Sequence, residues 1–449
     1  MRRRNSLLQR IIEQHSPEST ATAAMARSGA ASRRKILLSS VLLGLISLAF
    51  LAARIQYPPS DVFDESAYLS VARGLLSGSL PPLQIHSPVG RQHPPLGSFL
   101  ISAGMWLAGD NPAGWRLASV VAGAATAVGI FLLTYLLVQD YSLALTAAAL
   151  TLFNNFLYVI SRVAMLDVFT FAFCLWGVVA FVAAMQANIP TLRRRVYVTL
   201  SGIAFGLGAA CKWNAVDSLA VVLVSAIALY AFRSMDASGW SAPAVLAARN
   251  MRQIGLPVLL LAYTVLPAGI YVVTFVPLFH ATHTEFSLHE LGRIHALMLA
   301  LNKNFPGNRA LAAPWYRWPF RTTPLRSFSY LMGNWVVMWD GIAALAVGAW
   351  RLRRRLYLAE AMLLMLYLAN WLQWAVTPLK VPHYYYYYPA AMVLGPAIAA
   401  ALRRSPVQRV LGVRLSIFVV LVAFAFFLYC FPRMAHLEAP WDCMFGCWD

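Results

Sequence analysis

Apolar runs of about 20 residues, separated by short basic clusters, constrain this chain more than any other feature. A run of that length crosses a bilayer as a helix, because no water inside the bilayer can satisfy an open backbone. Hydrophobic residues make up 60% of the chain and charged ones 12%, against roughly 25% charged in soluble domains. The chain reads as an all-α polytopic membrane protein. Spans are expected at 36–53, 115–138, 142–160, 166–186, 196–213, 216–232, 255–279, 329–350, 356–376, 385–402 and 414–431, about eleven transmembrane helices in all. Alternation then puts Arg193-Arg194-Arg195, Arg351 to Arg355, and Arg403-Arg404 with Arg409 on one side. By the positive-inside rule that side is the cytoplasm, with the N-terminus inside and the C-terminus outside. The net charge of +19 therefore reflects topology and not a nucleic-acid surface.

Three regions follow. Residues 1–35 are expected to be a disordered cytoplasmic tail, 36–431 the transmembrane body with large outer loops at 54–114 and 280–328, and 432–449 an external tail. Cys443 and Cys447 in that tail are candidates for a local disulfide, while Cys174, Cys211 and Cys430 fall in or beside spans and act as small apolar residues. No Walker loop or Gly-rich nucleotide fingerprint is present, which argues against an ATP-driven pump.

The stretch 61–97 of the first outer loop carries the chemistry. Asp64 and Glu65 begin a short helix suited to the bilayer surface, with Asp61 or Ser60 as its cap and Phe63, Ala67, Val71 and Leu75 on its apolar face. Adjacent helical residues point about 100° apart, so one carboxylate can face a cleft while the other bonds to scaffold. Further on, the prolines of His93-Pro94-Pro95-Leu96-Gly97 hold His93 extended, and Gly97 frees the backbone to start a second segment.

Asp64, Glu65, Arg91, His93, Arg162, Asp167, Lys212, Lys380 and His383 all come out near the outer face. An ionisable residue at the bilayer centre costs at least about 2.5 kcal/mol, so such residues face a cavity or a partner. Arg162 and Asp167 are close enough in sequence to pair with each other, and Lys212 at a span end can also snorkel to the interface. A carboxylate near Arg and Lys in an interfacial cavity suits transfer of a sugar from a lipid phosphate. The carboxylate takes the acceptor proton and the cations neutralise the departing phosphate. An ordinary Asp is ionised near pH 7, so this base needs no extreme pKa shift.

These residues resemble the protein O-mannosyltransferases, GT-C glycosyltransferases that use polyprenyl-phosphate mannose. The resemblance rests on Phe63-Asp64-Glu65, on His93-Pro94-Pro95-Leu96-Gly97, on Arg162 through Asp167, on Lys212-Trp213 after Gly202, Gly206 and Gly208, and on Trp315-Tyr316-Arg317-Trp318-Pro319. It implies a GT-C fold with interfacial helices in the first outer loop, and an inverting transfer with Asp64 as base and Glu65 beside it. Arg162 and Lys212 would bind the donor phosphate, and His93, Asp167, His383, Tyr386, Trp315 and Trp318 would line the substrate site. Tyr386 stands where the family has a His. Loop 280–328 is too short for the lumenal MIR domain of eukaryotic members, so the chain resembles a bacterial type. The expected setting is a bacterial inner membrane with the site facing the periplasm.

The expected partners are a polyprenyl-phosphate sugar donor, membrane lipids, and a protein, lipid or glycan acceptor. A lipid A-type acceptor is the close alternative, and a transporter or flippase the distant one. No cofactor is implied, and a divalent metal beside the carboxylate, as in some GT-C enzymes, is the disfavoured alternative. His280, His283, His289 and His295 with Glu285 and Glu290 lack the His-Glu-x-x-His form, so no metal site is expected there. The run Tyr384 to Tyr388 reads equally as an interfacial aromatic belt or as a wall for headgroup or sugar.

Overall fold

The computed structural model describes residues 17–84, 91–232, 239–304, 313–325, 329–377, 383–411 and 413–437. Lys380 and the Cys443–Cys447 pair lie outside the described residues. The described elements are helices: α1 Pro17–Ala52, α2 Glu65–Ser77, α3 Leu96–Ala108, α4 Pro112–Val138, α5 Tyr141–Leu152, α6 Asn155–Ile160, α7 Leu166–Ala184, α8 Thr191–Cys211 and α9 Ala215–Ala231. They continue as α10 Ala242–Ile254, α11 Leu256–Ala281, α12 Leu288–Asn304, α13 Trp335–Leu352, α14 Leu358–Val376, α15 Tyr388–Arg403, α16 Pro406–Leu411 and α17 Val413–Met434. Short 3-10 turns occupy Trp315–Phe320 and Tyr384–Tyr387.

By length and composition, α4, α7, α11, α13, α17 and the Arg33–Ala52 part of α1 can cross a membrane. The spans expected at 196–213, 216–232, 356–376 and 385–402 are also helices. Two expectations change. The first helix begins at Pro17, inside the segment expected to be a disordered tail, where Ala-rich sequence favours helix. The single span expected at 142–160 is α5 and α6, because the Asn154 side chain accepts the Phe156 N–H at 3.2 Å and caps a new helix.

Capping and small residues position the elements that matter for the site. Asn111 accepts from the N–H groups of Ala113 and Gly114, with Pro112 just inside, and so starts α4. That start puts Arg116 one turn into α4. The α7–α8 pair is the most extensively packed among the described elements, and Ser201 on α8 donates to the Gly177 carbonyl of α7 at 2.7 Å. On another face of α8, a Cβ at Gly202 would collide with the Ala262 carbonyl, and one at Gly206 with Ile270 and Pro267. The glycines thus let α11 lie backbone-close against α8. The C-terminal end of α8, and with it Lys212, is held from both sides.

Helix α2 differs in register from the sequence reading. Glu65, Tyr68, Leu69, Val71 and Ala72 are buried, whereas Ala67 and Leu75 are only partly so. The face is fixed by packing on α3 and not by the spacing of the larger side chains. Gly97 likewise acts through space: it is a helical residue of α3, and a Cβ there would strike the Leu166 side chain at the start of α7.

Candidate active site

Asp64 occupies the N-cap position of α2, yet its side chain makes no capping bond. Neither does the helix begin near Ser60 or Asp61 as the sequence suggested. Phe63 turns the chain with φ of +55°, a left-handed conformation that costs an aromatic residue of order 1–3 kcal/mol and persists only when its surroundings impose it. Here the surroundings are rings: Phe63 meets His383 edge-on at 5.3 Å and Tyr385 at 5.5 Å, and His383 stacks on Tyr385. Tyr385 in turn donates its hydroxyl to Asp64 Oδ2 at 3.2 Å. The turn therefore presents the carboxylate toward the tyrosine segment instead of spending it on the helix end.

Burial pushes the Asp64 carboxyl up to about 6, while the Lys212 ammonium and the Tyr385 hydroxyl pull it down. This is higher than the ordinary value expected from the sequence, but the group remains mostly ionised near pH 7.

Glu65 points elsewhere. It is fully buried and forms a forked pair with Arg116, whose Nε and Nη2 each donate at 2.9 Å. The N–H groups of Val62 and Ala164 donate to it as well, both at 2.7 Å. Arg116, also fully buried, spends its remaining donors on the carbonyls of Ile55, Pro58 and Ser60. The pair ties the segment after α1, the start of α2 and the loop before α7 to α4. Glu65 has no oxygen left for a substrate.

Lys212 follows α8 and donates to both oxygens of Asp167, at 2.8 and 2.9 Å. Asp167 therefore pairs with Lys212 and not with Arg162. The ammonium also lies over the Tyr386 ring at 4.8 Å and the Tyr385 ring at 5.6 Å. An ammonium has three donors, so one remains for a ligand.

Arg162, expected at the donor phosphate, is instead a helix cap. It donates to the carbonyls of Leu51, Ala53 and Arg54 at the end of α1 and stacks on Tyr158, satisfying acceptors that a helix end leaves open. Arg162→Met is expected to lower the melting temperature by removing donors worth about 1–3 kcal/mol in all, with donor KM unchanged. A raised KM at unaltered melting temperature would return Arg162 to the binding site.

A cavity of about 380 Å³ opens beside Lys212, within the usual size range of small-ligand sites. His93, Lys212, Trp213, Asn214, Asp217, Leu299, Asn302, Lys303, Gln373, Trp374, Thr377 and Tyr386 line it. Asp64 sits just behind this wall, bonded to Tyr385 and within the field of Lys212. His93 is held neutral, since burial and the nearby Lys212 charge push its pKa down to about 3. Tyr386 stacks on Trp374 at 4.3 Å, with the ring planes 3° apart. Trp318 is fully buried behind Trp374, and Trp315 packs on Trp371, so both brace the wall without lining it. The tyrosine run is not a lipid-facing belt. Tyr384, Tyr385, Tyr387 and Tyr388 are buried, and Tyr387 shares a 2.7 Å hydrogen bond with Tyr367.

Asn214, Asp217, Asn302, Gln373, Trp374 and the clamp residue Arg116 were not singled out in the sequence. Arg116 and Asp217 did carry a signal, each an ionisable residue in the outer end of an apolar span. His295, considered with the loop histidines, is bonded to the Tyr271 hydroxyl and the Leu291 carbonyl.

Residues 110–283 match the family model described as dolichyl-phosphate-mannose-protein mannosyltransferase. A polyprenol-phosphate-mannose–protein mannosyltransferase of Mycolicibacterium smegmatis is 25% identical over 223 residues, covering 45% of this chain and 41% of the relative. The chain thus aligns with less than half the length of that relative. One of Mycobacterium tuberculosis is 23% identical over 372 residues, 67% of each chain. Among solved structures, the Saccharomyces cerevisiae protein O-mannosyltransferase Pmt1–Pmt2 complex bound to the sugar donor superposes with a TM-score of 0.73 at 13% identity, covering 89% of this chain and 90% of that one. ArnT from Cupriavidus metallidurans bound to undecaprenyl phosphate gives 0.57 at 14%, covering 90% and 77%. The fold is that of the GT-C glycosyltransferases, and the chain is an integral membrane protein.

Proposed function

We propose that this chain, whose residues 110–283 match the dolichyl-phosphate-mannose-protein mannosyltransferase family model, moves mannose from a polyprenyl-phosphate carrier to a protein hydroxyl. The observation that carries this reading is the uncapped Asp64 carboxylate, bonded at Oδ2 by Tyr385 beside the Lys212–Asp167 pair. Its other oxygen takes the proton of the acceptor hydroxyl as that oxygen attacks the anomeric carbon. The bond from that carbon to the phosphate oxygen breaks on the opposite face, which inverts the centre, and the carrier leaves as a phosphate. Lys212 and Lys303 line one cavity and supply the countercharge for that phosphate. Lys303 takes the part expected of Arg162. Positive-inside topology supports a site on the outer face; the bacterial inner membrane and a reaction without metal or cofactor belong to this reading through the family resemblance.

Membranes holding the protein, incubated with radiolabelled polyprenyl-phosphate mannose, test this directly. Label is expected in protein. Label in lipid or free glycan would favour an acceptor of that kind, and label that stays on the carrier would overturn the transferase reading.

A pH profile adds an independent check. Because the base acts only when ionised and its pKa is about 6, transfer is expected to fall about tenfold per unit below that point and to level off above about pH 7. A rate that stays flat down to about pH 5 would remove Asp64 from the role of base.

A further inference from the structure

Asp217 is a carboxylate without a protein partner on the wall of the cavity. It stands in the first turn of α9, and no Lys or Arg forms an ion pair with it among the described residues. Its Oδ2 is buried and receives no hydrogen bond, and the same holds for Asn214 Oδ1 on the same cavity. Trp374, also on the wall, has a buried indole N–H with no acceptor. Folded proteins leave few such atoms unpaired. Two acceptors and a donor thus lack partners in residues that line one cavity, and a ligand seated there that both gives and takes hydrogen bonds would supply them.

The remaining wall narrows the ligand class. Trp213 and Trp374 offer aromatic surface, whereas the two faces of Tyr386 are taken by Trp374 and the Lys212 ammonium. Trp213 is pinned, since its indole N–H donates to the Tyr271 hydroxyl at 2.9 Å, and that hydroxyl bonds His295 at 2.7 Å. Rigid ring faces beside open carboxylate and amide oxygens suit a pyranose, which has apolar C–H patches and hydroxyls that are donors and acceptors at once. A phosphate alone does not suit this end, because its oxygens are chiefly acceptors, as the unpartnered Asp217 and Asn214 oxygens are.

We infer that Asp217 is the sugar-reading residue of the site: its carboxylate accepts hydrogen bonds from hydroxyls of the transferred hexose, with Asn214 as a second acceptor. The inference rests on the transferase reading given above. It separates the donor's two halves, the phosphate falling to Lys212 and Lys303 and the sugar to Asp217.

The test compares two lipids on the purified full-length chain: polyprenyl phosphate and polyprenyl-phosphate mannose. Asp217→Ala is expected to weaken the sugar-bearing lipid about 10- to 100-fold, the range for a lost hydrogen bond to a charged group. Asp217→Asn keeps one neutral acceptor and is expected to lose less. The bare carrier should bind both variants as tightly as wild type or tighter, because removing a negative charge cannot weaken attraction to phosphate. Retained carrier binding also certifies the fold. Equal losses for both lipids, or no loss for either, would overturn the role of Asp217 and leave the transferase reading standing. Wild-type protein that binds neither lipid would overturn both.

Discussion

Asp64→Asn is expected to lose transfer by at least about 10²-fold, with protein level and donor binding retained, since a positioned base typically contributes about 10²–10⁴-fold. The amide is nearly isosteric and still accepts the Tyr385 hydroxyl, so the turn at Phe63 and its ring contacts stay intact. What disappears is the capacity to take a proton. Glu65→Gln is the informative companion. Glu65 is surrounded by donors from Arg116, Val62 and Ala164, so its loss should appear as poor folding and not as a slow chemical step. Full activity of Asp64→Asn alongside a folded but inactive Glu65→Gln would exchange the two roles.

The second large effect concerns Arg116. Arg116→Met leaves the Glu65 charge buried without its partner, which costs about 3–5 kcal/mol in comparable sites. It also strands the carbonyls of Ile55, Pro58 and Ser60. Protein yield and melting temperature in detergent are therefore expected to drop sharply. Replacing both partners, as in Glu65→Leu with Arg116→Met, should recover only part of the loss, because the Val62 and Ala164 N–H groups would still lack an acceptor. A single Arg116→Met variant with wild-type melting temperature would show that the pair does not hold the first outer loop.

These two predictions differ in how far the sequence foresaw them. Asp64 stood out because a carboxylate just beyond an apolar run demands a reason. Arg116 is more deeply buried and went unremarked, one arginine inside a long apolar segment. Arg162 and Lys212 looked equivalent as outer-face cations. The structure separates them: Arg162 faces the carbonyls that end α1, while Lys212 lies on the cavity with Asp167. The five tyrosines could be named but not sorted, and only Tyr385 reaches the carboxylate.

Membrane class, helix order and the loop that carries the Asp64 carboxylate were legible in the residues alone. That was so because partition into a bilayer adds up residue by residue, and because a cap, a proline or a glycine acts on its immediate neighbours. Which side chain meets which was not legible there. Glu65 finds Arg116 at a separation of 51 residues, and Asp64 finds Tyr385 at 321. Pairings over such distances depend on how the helices pack. That packing depends on α8 glycines that admit α11 and on an asparagine that sets where α4 begins, so side chains with no charge of their own settle the partners of those that have one.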